Sequence, residues 1–251
     1  MKSAVISVLF LVLFLPGSGQ ENANTRYSFF STGFSQVKEA ANFGLVFNGP
    51  VVNYGMEWNL INEKRMITYG YELGVGIPFS KNIPALDFYL KPVDMAYMFR
   101  FPGVNNRFYI GPALKFEYIY DFYPQLQSGF GYWFTNFSLG LKAHYTFNYQ
   151  SSVFQIALSS SLAGFISRQP DYRDPYFYDI GFKFAVRDLH QNMVFGSFEK
   201  YNTTDLEILW KPASASRFTF GYEFRYSGYS DAPEFKKVSH SIKILFGKKS
   251  R

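Results

Sequence analysis

The chain predicts an all-β protein, a transmembrane up-and-down antiparallel β-barrel of about twelve strands, with about ten as the fallback count. Three observations point there: long runs in which apolar and polar residues alternate, a heavy load of aromatic residues, and connections that alternate between short and long.

Alternation is clearest from Trp133 to Tyr149. Trp133, Thr135, Phe137, Leu139, Leu141, Ala143, Tyr145, Phe147 and Tyr149 form one set, interleaved with Phe134, Asn136, Ser138, Gly140, Lys142, His144, Thr146 and Asn148. Successive strand side chains point to opposite faces, so one face is greasy and the other small, polar or charged. A half-buried strand of a soluble sandwich shows the same period, and length separates the two cases. Soluble strands run about 5–6 residues and tilted membrane-crossing strands about 9–11, and this run exceeds both. The pattern recurs over Phe108 to Phe122, Ile67 to Ile77 and Phe218 to Tyr226. Charges spaced by two on one face are costly in a dry core and at home in the polar lumen of a barrel.

Composition narrows the class further. With 30 Phe and 20 Tyr, aromatics far exceed average usage, yet mean hydropathy is only −0.11, so polar residues are interleaved with the rings. The net charge of +6 is not gathered into a basic stripe, which argues against nucleic-acid binding. Absence of cysteine excludes a disulfide framework, a thiolate zinc site, a cysteine nucleophile and a lipid anchor on an N-terminal cysteine.

Taken in order, Met1 and Lys2, the apolar run Ala4 to Leu15, Pro16 and the small residues Gly17-Ser18-Gly19 predict a cleaved export signal over 1–19. Residues 20–39 give no clear strand, because Lys38 and Glu39 break a pattern begun by Tyr27, Phe29 and Phe30; a periplasmic lead-in or a plug is expected there. The barrel is expected over 40–247, followed by a basic tail at 248–251. Its strands are placed near 40–48, 51–61, 66–77, 85–101, 107–122, 133–149, 152–166, 176–187, 192–200, 204–212, 217–228 and 237–247. Pro92 marks a bulge, since outward parity changes there.

Such barrels carry short periplasmic turns and longer outer loops. Asn62 to Arg65, Pro102 to Asn106, Gln150-Ser151, Asp188 to Gln191 and Ala213 to Ser216 read as the short turns, so that His190 falls in a periplasmic turn. Pro78 to Pro84, Tyr123 to Tyr132, Ser167 to Pro175 and Tyr229 to Lys236 read as the longer loops. The exceptions are Asn48-Gly49-Pro50 and Tyr201-Asn202-Thr203, two short outer loops on which the twelve-strand count rests. Trp58 and Trp210 near the periplasmic ends and Trp133 at an outer end suit aromatic girdles at the two interfaces.

Candidate functional residues fall into three groups. Lumen parity collects Glu57, Glu72, Asp94, Glu117, Asp121, Asp179, Asp205, Glu207 and Glu223 against Arg100, Arg107, Lys115, Lys142, Lys183, Arg187, Lys211, Arg225 and Lys243, a balance of signs that suits a paired network more than a selective pore. The loop Arg168-Gln169-Pro170-Asp171-Tyr172-Arg173-Asp174-Pro175 suits either binding of a sugar or partner or self-pairing, with Arg168, Asp171, Tyr172, Arg173 and Asp174 as its contacts. His240 has outward parity near the outer rim and is the one candidate catalytic histidine; its neighbours Ser239 and Ser241 point to the opposite face. The histidines lie on different faces, and neither a metal site nor a cofactor is expected.

Export signal, alternating strands and alternating loops together resemble bacterial outer-membrane β-barrel proteins over essentially the whole mature chain. The resemblance implies the outer membrane of a Gram-negative bacterium, with membrane lipids and lipopolysaccharide as surroundings and the barrel assembly machinery as partner during insertion. One departure is the end, where Gly247-Lys248-Lys249-Ser250-Arg251 follow Phe246, although such barrels often finish on an aromatic residue. The expected role is a non-enzymatic barrel with a charge-paired lumen and outer loops for structural or surface interaction. A lipid-modifying hydrolase of the phospholipase or lipid A deacylase type using His240, and a narrow pore for small solutes, are the alternatives.

Overall fold

The computed structural model describes residues 23–40, 44–101, 107–124, 131–168, 190, 193–212, 218–231 and 234–249, so the expected export signal lies outside the described residues. The strands are β1 (Ala23–Glu39), β2 (Val46–Ile61), β3 (Arg65–Gly76), β4 (Phe79–Ser80), β5 (Ile83–Pro84), β6 (Leu86–Arg100), β7 (Phe108–Phe122), β8 (Gly131–Tyr149), β9 (Ser152–Arg168), β10 (Val194–Ser197), β11 (Tyr201–Lys211), β12 (Phe218–Tyr229) and β13 (Phe235–Lys249). Antiparallel pairing runs β1-β13-β12-β11-β9-β8-β7-β6-β3-β2 and returns from β2 to β1, closing a barrel of 10 strands.

Ten strands, not twelve, follow from four local corrections. Residues 23–39, within the segment expected as a lead-in or plug, instead form β1, which closes the barrel by pairing from Thr25↔Lys249 to Glu39↔Phe235 on one side and from Ala23↔Ile61 to Lys38↔Val46 on the other. Asn48-Gly49-Pro50 is no loop but part of the single strand β2. Pro50 has no N–H to give to the ladder, but its carbonyl still accepts from Ile77 N at 3.1 Å. The segments 192–200 and 204–212 do not fold back on each other either. β10 and β11 both pair antiparallel with β9, at Val194↔Ile166 to Ser197↔Ala163 and at Thr204↔Ser160 to Lys211↔Val153, so they run in one direction as a single interrupted strand. The expected strand 176–187 lies outside the described residues, and β9 pairs directly with β11.

The third correction carries His190 with it. Because the chain enters β10 from the loop end, His190 is not in a turn at the terminus end; its Nε2 lies 2.7 Å from the Tyr118 hydroxyl, and its ring packs on Phe116 and Tyr118 of the outer wall of β7.

At the end where β1 begins and β13 ends, two of the turns are tight. Asn62 closes one by accepting from Lys64 N at 3.0 Å and Arg65 N at 2.8 Å through its side-chain oxygen, an Asx turn. Gln150 closes another with φ 46°, in the left-handed region. Around Pro92 the register slips in the pairing of β6 with both neighbours, between Gly70 and Glu72 and between Leu90 and Val93, which moves the lumen-facing set from odd to even positions.

Burial alternates along each strand, but the usual meaning is inverted. The buried set is largely polar and charged, whereas the outward set is apolar and exposed: Ile242 at 64 %, Leu139 at 59 %, Phe34, Val75 and Phe88 among many others. Such an apolar belt around a closed barrel is unfavourable in water and matches a hydrocarbon surrounding, so the fold is a transmembrane β-barrel. Deleting residues 23–39 leaves β2 and β13 with unpaired edges in hydrocarbon. The deleted chain is expected to lose the heat-modifiable folded band on a gel altogether, a loss that a dispensable lead-in would not cause.

Candidate functional site

The inward positions stack into three levels. Near the termini, Ile61, Met66, Ala96, Met98, Tyr109 and Ala113 pack together, beside Phe29, Leu209 and Leu245. Near the loops, Val37, Tyr89, Ile119, Phe134, Ile166, Tyr201 and Phe235 form a second apolar layer, with Phe47, Ala85, Tyr123 and Tyr132 above them. Between the two layers lies a sheet of charge.

Arg225 is its centre. Its Nη2 reaches Glu72 at 2.8 Å and Glu223 at 2.6 Å, its Nε stands 3.8 Å from Asp205, and its guanidinium lies over the Tyr89 ring at 4.5 Å. Glu72 also takes Lys91 at 3.3 Å; Lys91 continues to Asp94 at 3.1 Å, and Asp94 to Lys142 at 3.9 Å. On the other side Asp205 takes Lys115 at 2.5 Å. The chain Lys142–Asp94–Lys91–Glu72–Arg225–Asp205–Lys115 therefore ties β8, β6, β3, β12, β11 and β7 across the lumen. Lys243 joins β2 and β11 to β13 by bridging Glu57 at 2.5 Å and Glu207 at 2.6 Å, with its ammonium 3.9 Å from the Phe29 ring centre. Glu117 accepts from the Tyr89 hydroxyl and from Asn136 Nδ2, both at 3.0 Å.

Two expected members stand apart from this network. Arg100 donates to the Glu63 carbonyl at 3.2 Å and Arg107 to Asn148 Oδ1 at 3.0 Å, both toward the terminus end of the barrel. Lys211, at the end of β11, is exposed. Asp179, Lys183 and Arg187 lie outside the described residues.

The lumen also holds charges that the alternation did not single out. Lys237 meets Asp87 at 2.5 Å, with Asp121 buried in the same layer of β7. Arg168 is not an exposed loop contact: it is buried at the loop end of β9, donates to Glu39 at 2.6 Å, and is held between the Tyr229 and Phe235 rings at 5.3 and 5.2 Å. Asp171, Tyr172, Arg173 and Asp174 lie outside the described residues. Lys91 and Asp87 sit on the stretch of β6 before the register slip, and Lys237 at the very start of β13, where parity is hardest to assign.

His240 faces outward between Phe34 and Phe224 in register, with its Nδ1 2.6 Å from the Tyr222 hydroxyl. Ser239 and Ser241 stand on the lumen face, so no serine on its own strand shares its side and no carboxylate is paired with it among the described residues. Among the described residues, His240 has a phenol hydroxyl beside it but no acid, so the hydroxyl and acid that a hydrolytic nucleophile needs within reach of one imidazole are not both present at it. His144 is buried on the lumen side, and no group of three or more potential metal ligands occurs among the described residues.

Two cavities of about 40 Å³ each lie in the polar middle, one bounded by Thr68, Lys142, His144 and Glu207, the other by Ser159, Asp205, Glu223 and Lys243. Each has room for a few waters at about 10–15 Å³ apiece. Buried oxygens without a protein partner, among them Glu72 Oε1, Glu223 Oε2 and Ser159 Oγ, give such waters acceptors to bind.

No family model matches the chain, and no curated protein matches it either. Solved structures do resemble it. The translocator domain of the autotransporter NalP from Neisseria meningitidis is 7 % identical with a TM-score of 0.47, covering 98 % of this chain and 94 % of its own. The β domain of the Bordetella autotransporter BrkA is 9 % identical with a TM-score of 0.48, covering 90 % and 99 %. The outer-membrane protease OmpT from Escherichia coli is 9 % identical with a TM-score of 0.43, covering 95 % and 100 %.

Removing one member of a buried ion pair strands its partner without water, at a cost of about 3–5 kcal/mol. Arg225→Ala strands Glu223 and leaves Glu72 with Lys91 alone, and it is expected to cost at least that much, read as a lowered urea midpoint of the heat-modifiable band. Combining Arg225→Met with Glu72→Gln and Glu223→Gln recovers most of the loss, because no bare charge is left.

Proposed function

We propose that this chain is an outer-membrane barrel with a closed lumen, inserted with its tight turns toward the periplasm, whose role is structural or lies in the surface interactions of its outer loops. The observation that carries this reading is the filling of the interior at three successive levels, aromatic and aliphatic at both ends and cross-bridged by charge between them. A conducting pore needs a continuous wet path and commonly a constriction of one charge sign. Here opposite charges are matched across the lumen, and the cavities between them have room for only a few waters.

Aromatic side chains near the strand ends support the placement in a bilayer. Trp58 packs on Tyr69 and Tyr71 with Arg26 over its ring at 5.3 Å, and Trp210 packs on Phe220, all toward the terminus end of the wall. Outer-membrane lipids are then its surroundings, and the barrel assembly machinery its partner during insertion.

Purified full-length protein reconstituted into planar bilayers is expected to insert, as shown by heat-modifiable migration of the recovered protein, and to give no conductance steps above the leak of the protein-free membrane. Regular steps from wild-type protein would replace this reading with that of a small-solute pore.

A further inference from the structure

The outward surface of β1, β2, β12 and β13 changes character in rows from the loop end downward. In register, Lys38 stands directly opposite Lys236. The next row holds Asn48, Gln36, Val238 and Tyr226, with Gln36 Nε2 donating to Asn48 Oδ1 at 2.8 Å. Below come Phe34, His240 and Phe224, and then Thr32, Ile242 and Tyr222. Ammonium groups, then amides and a phenol beside Val238, then a wall of Phe34, Phe224 and Ile242 that also carries Thr32 and the bonded His240–Tyr222 pair, follow the order in which a lipid presents phosphate, polar backbone and acyl chain.

Depth agrees with this order. From Gln36 to Arg26, which stands opposite Lys248, the strand advances ten residues, or about 33 Å at 3.3 Å per residue. A barrel tilt near 40° reduces that to about 25 Å, the height of the apolar band of an outer-membrane barrel. Lys38 and Lys236 therefore stand just beyond the loop-side edge of the band, at headgroup level.

Two like charges directly opposite each other destabilise a sheet unless an anion lies between them. Glu234 supplies one, pairing with Lys236, whose hydrogen bond holds the Glu234 carboxyl below its ordinary range. That leaves two ammonium groups to one carboxylate, and Lys38 has no ion-pair partner among the described residues. We propose that Lys38 and Lys236 bind the phosphate of an outer-leaflet lipid, with Gln36, Asn48 and Tyr226 against its polar backbone and Phe34 and Ile242 along an acyl chain. The proposal rests on the outer-membrane reading above and names the wall at which the lipid is held. A phosphate oxygen between the ammonium groups removes their repulsion, and the apolar wall beneath keeps the lipid in one orientation.

Native mass spectrometry of the full-length protein, released from detergent micelles containing bisphosphorylated lipid A, tests it. Wild type is expected to retain one lipid. Lys38→Gln combined with Lys236→Gln is expected to lower retention about tenfold at unchanged heat-modifiable migration, and the Lys38→Arg, Lys236→Arg pair to keep it, so that a folding defect is told apart from a lost contact. Equal retention by the glutamine variant, equal retention of lipid A stripped of its phosphates, or equally tight binding of inorganic phosphate from solution would each overturn the proposal. In those outcomes the protein still inserts and migrates as a folded barrel, so the membrane reading stands while the lipid site falls; a wild-type chain that folds in plain buffer without detergent overturns both.

Discussion

A backbone amide facing hydrocarbon has no water to bond with, and every strand of this wall must therefore find a strand on each side. That constraint explains why the ladder closes, why β2 runs unbroken through Pro50, and why β10 and β11 share β9 as partner even though the strand between them is interrupted. It also explains the two-sided pairing of β1, the least patterned stretch of the barrel. Side chains decide which face is which, but the backbone decides that the sheet has no edge.

Inside, the same scarcity of water governs the charges. Carboxylates and ammonium groups taken from solvent are tolerated only when each is bonded on several sides, and the lumen meets this by sharing: Arg225 among three carboxylates, Lys91 and Lys243 between two each. Pairs of this kind are weak evidence for stability when compared with a hydrophobic filling of equal volume. What they supply is registry, because Glu57, Glu72, Asp94, Asp205 and Glu207 are each bonded by a cation from another strand, and a slip of one residue would turn the whole set outward.

Much of the barrel was legible from the alternation alone, and the failures have local physical causes. β7, β8 and β12 read cleanly because polar and charged residues recur at every second position through their middles, opposite an apolar outward set, even though Tyr109, Ala113, Ile119, Tyr132 and Phe134 fill the lumen toward the ends of β7 and β8. β1 did not, because Ser31, Gly33 and Ser35 face inward beside Phe29 and Val37, small residues that leave lumen space for long charged side chains from elsewhere, so neither face is uniform. Asn48-Gly49-Pro50 carries turn chemistry yet lies in a strand, where pairing on both sides outweighs local preference. In the lumen, Glu72, Lys115, Asp205, Arg225 and Lys243 could be named from parity, but which cation meets which carboxylate depends on partners far apart in sequence. Asp87 and Lys91 were hidden by the parity change at Pro92, and Arg168 by a position that reads as loop. The lysine pair on the outer wall is invisible in the sequence, since Lys38 and Lys236 become neighbours only through closure.

Thr25 lies opposite Lys249, so the first and last strands of the chain are neighbours. The contact that completes the wall is thus the one with the greatest sequence separation, and it carries the largest loop-closure entropy of any in the molecule. Until β13 has docked, β1 has a partner on one side only, and the open edge invites pairing with other chains. The wall is therefore complete only once its two most distant strands have met, and whatever shelters the unfinished edge in the meantime governs yield as much as the stability of the finished barrel does.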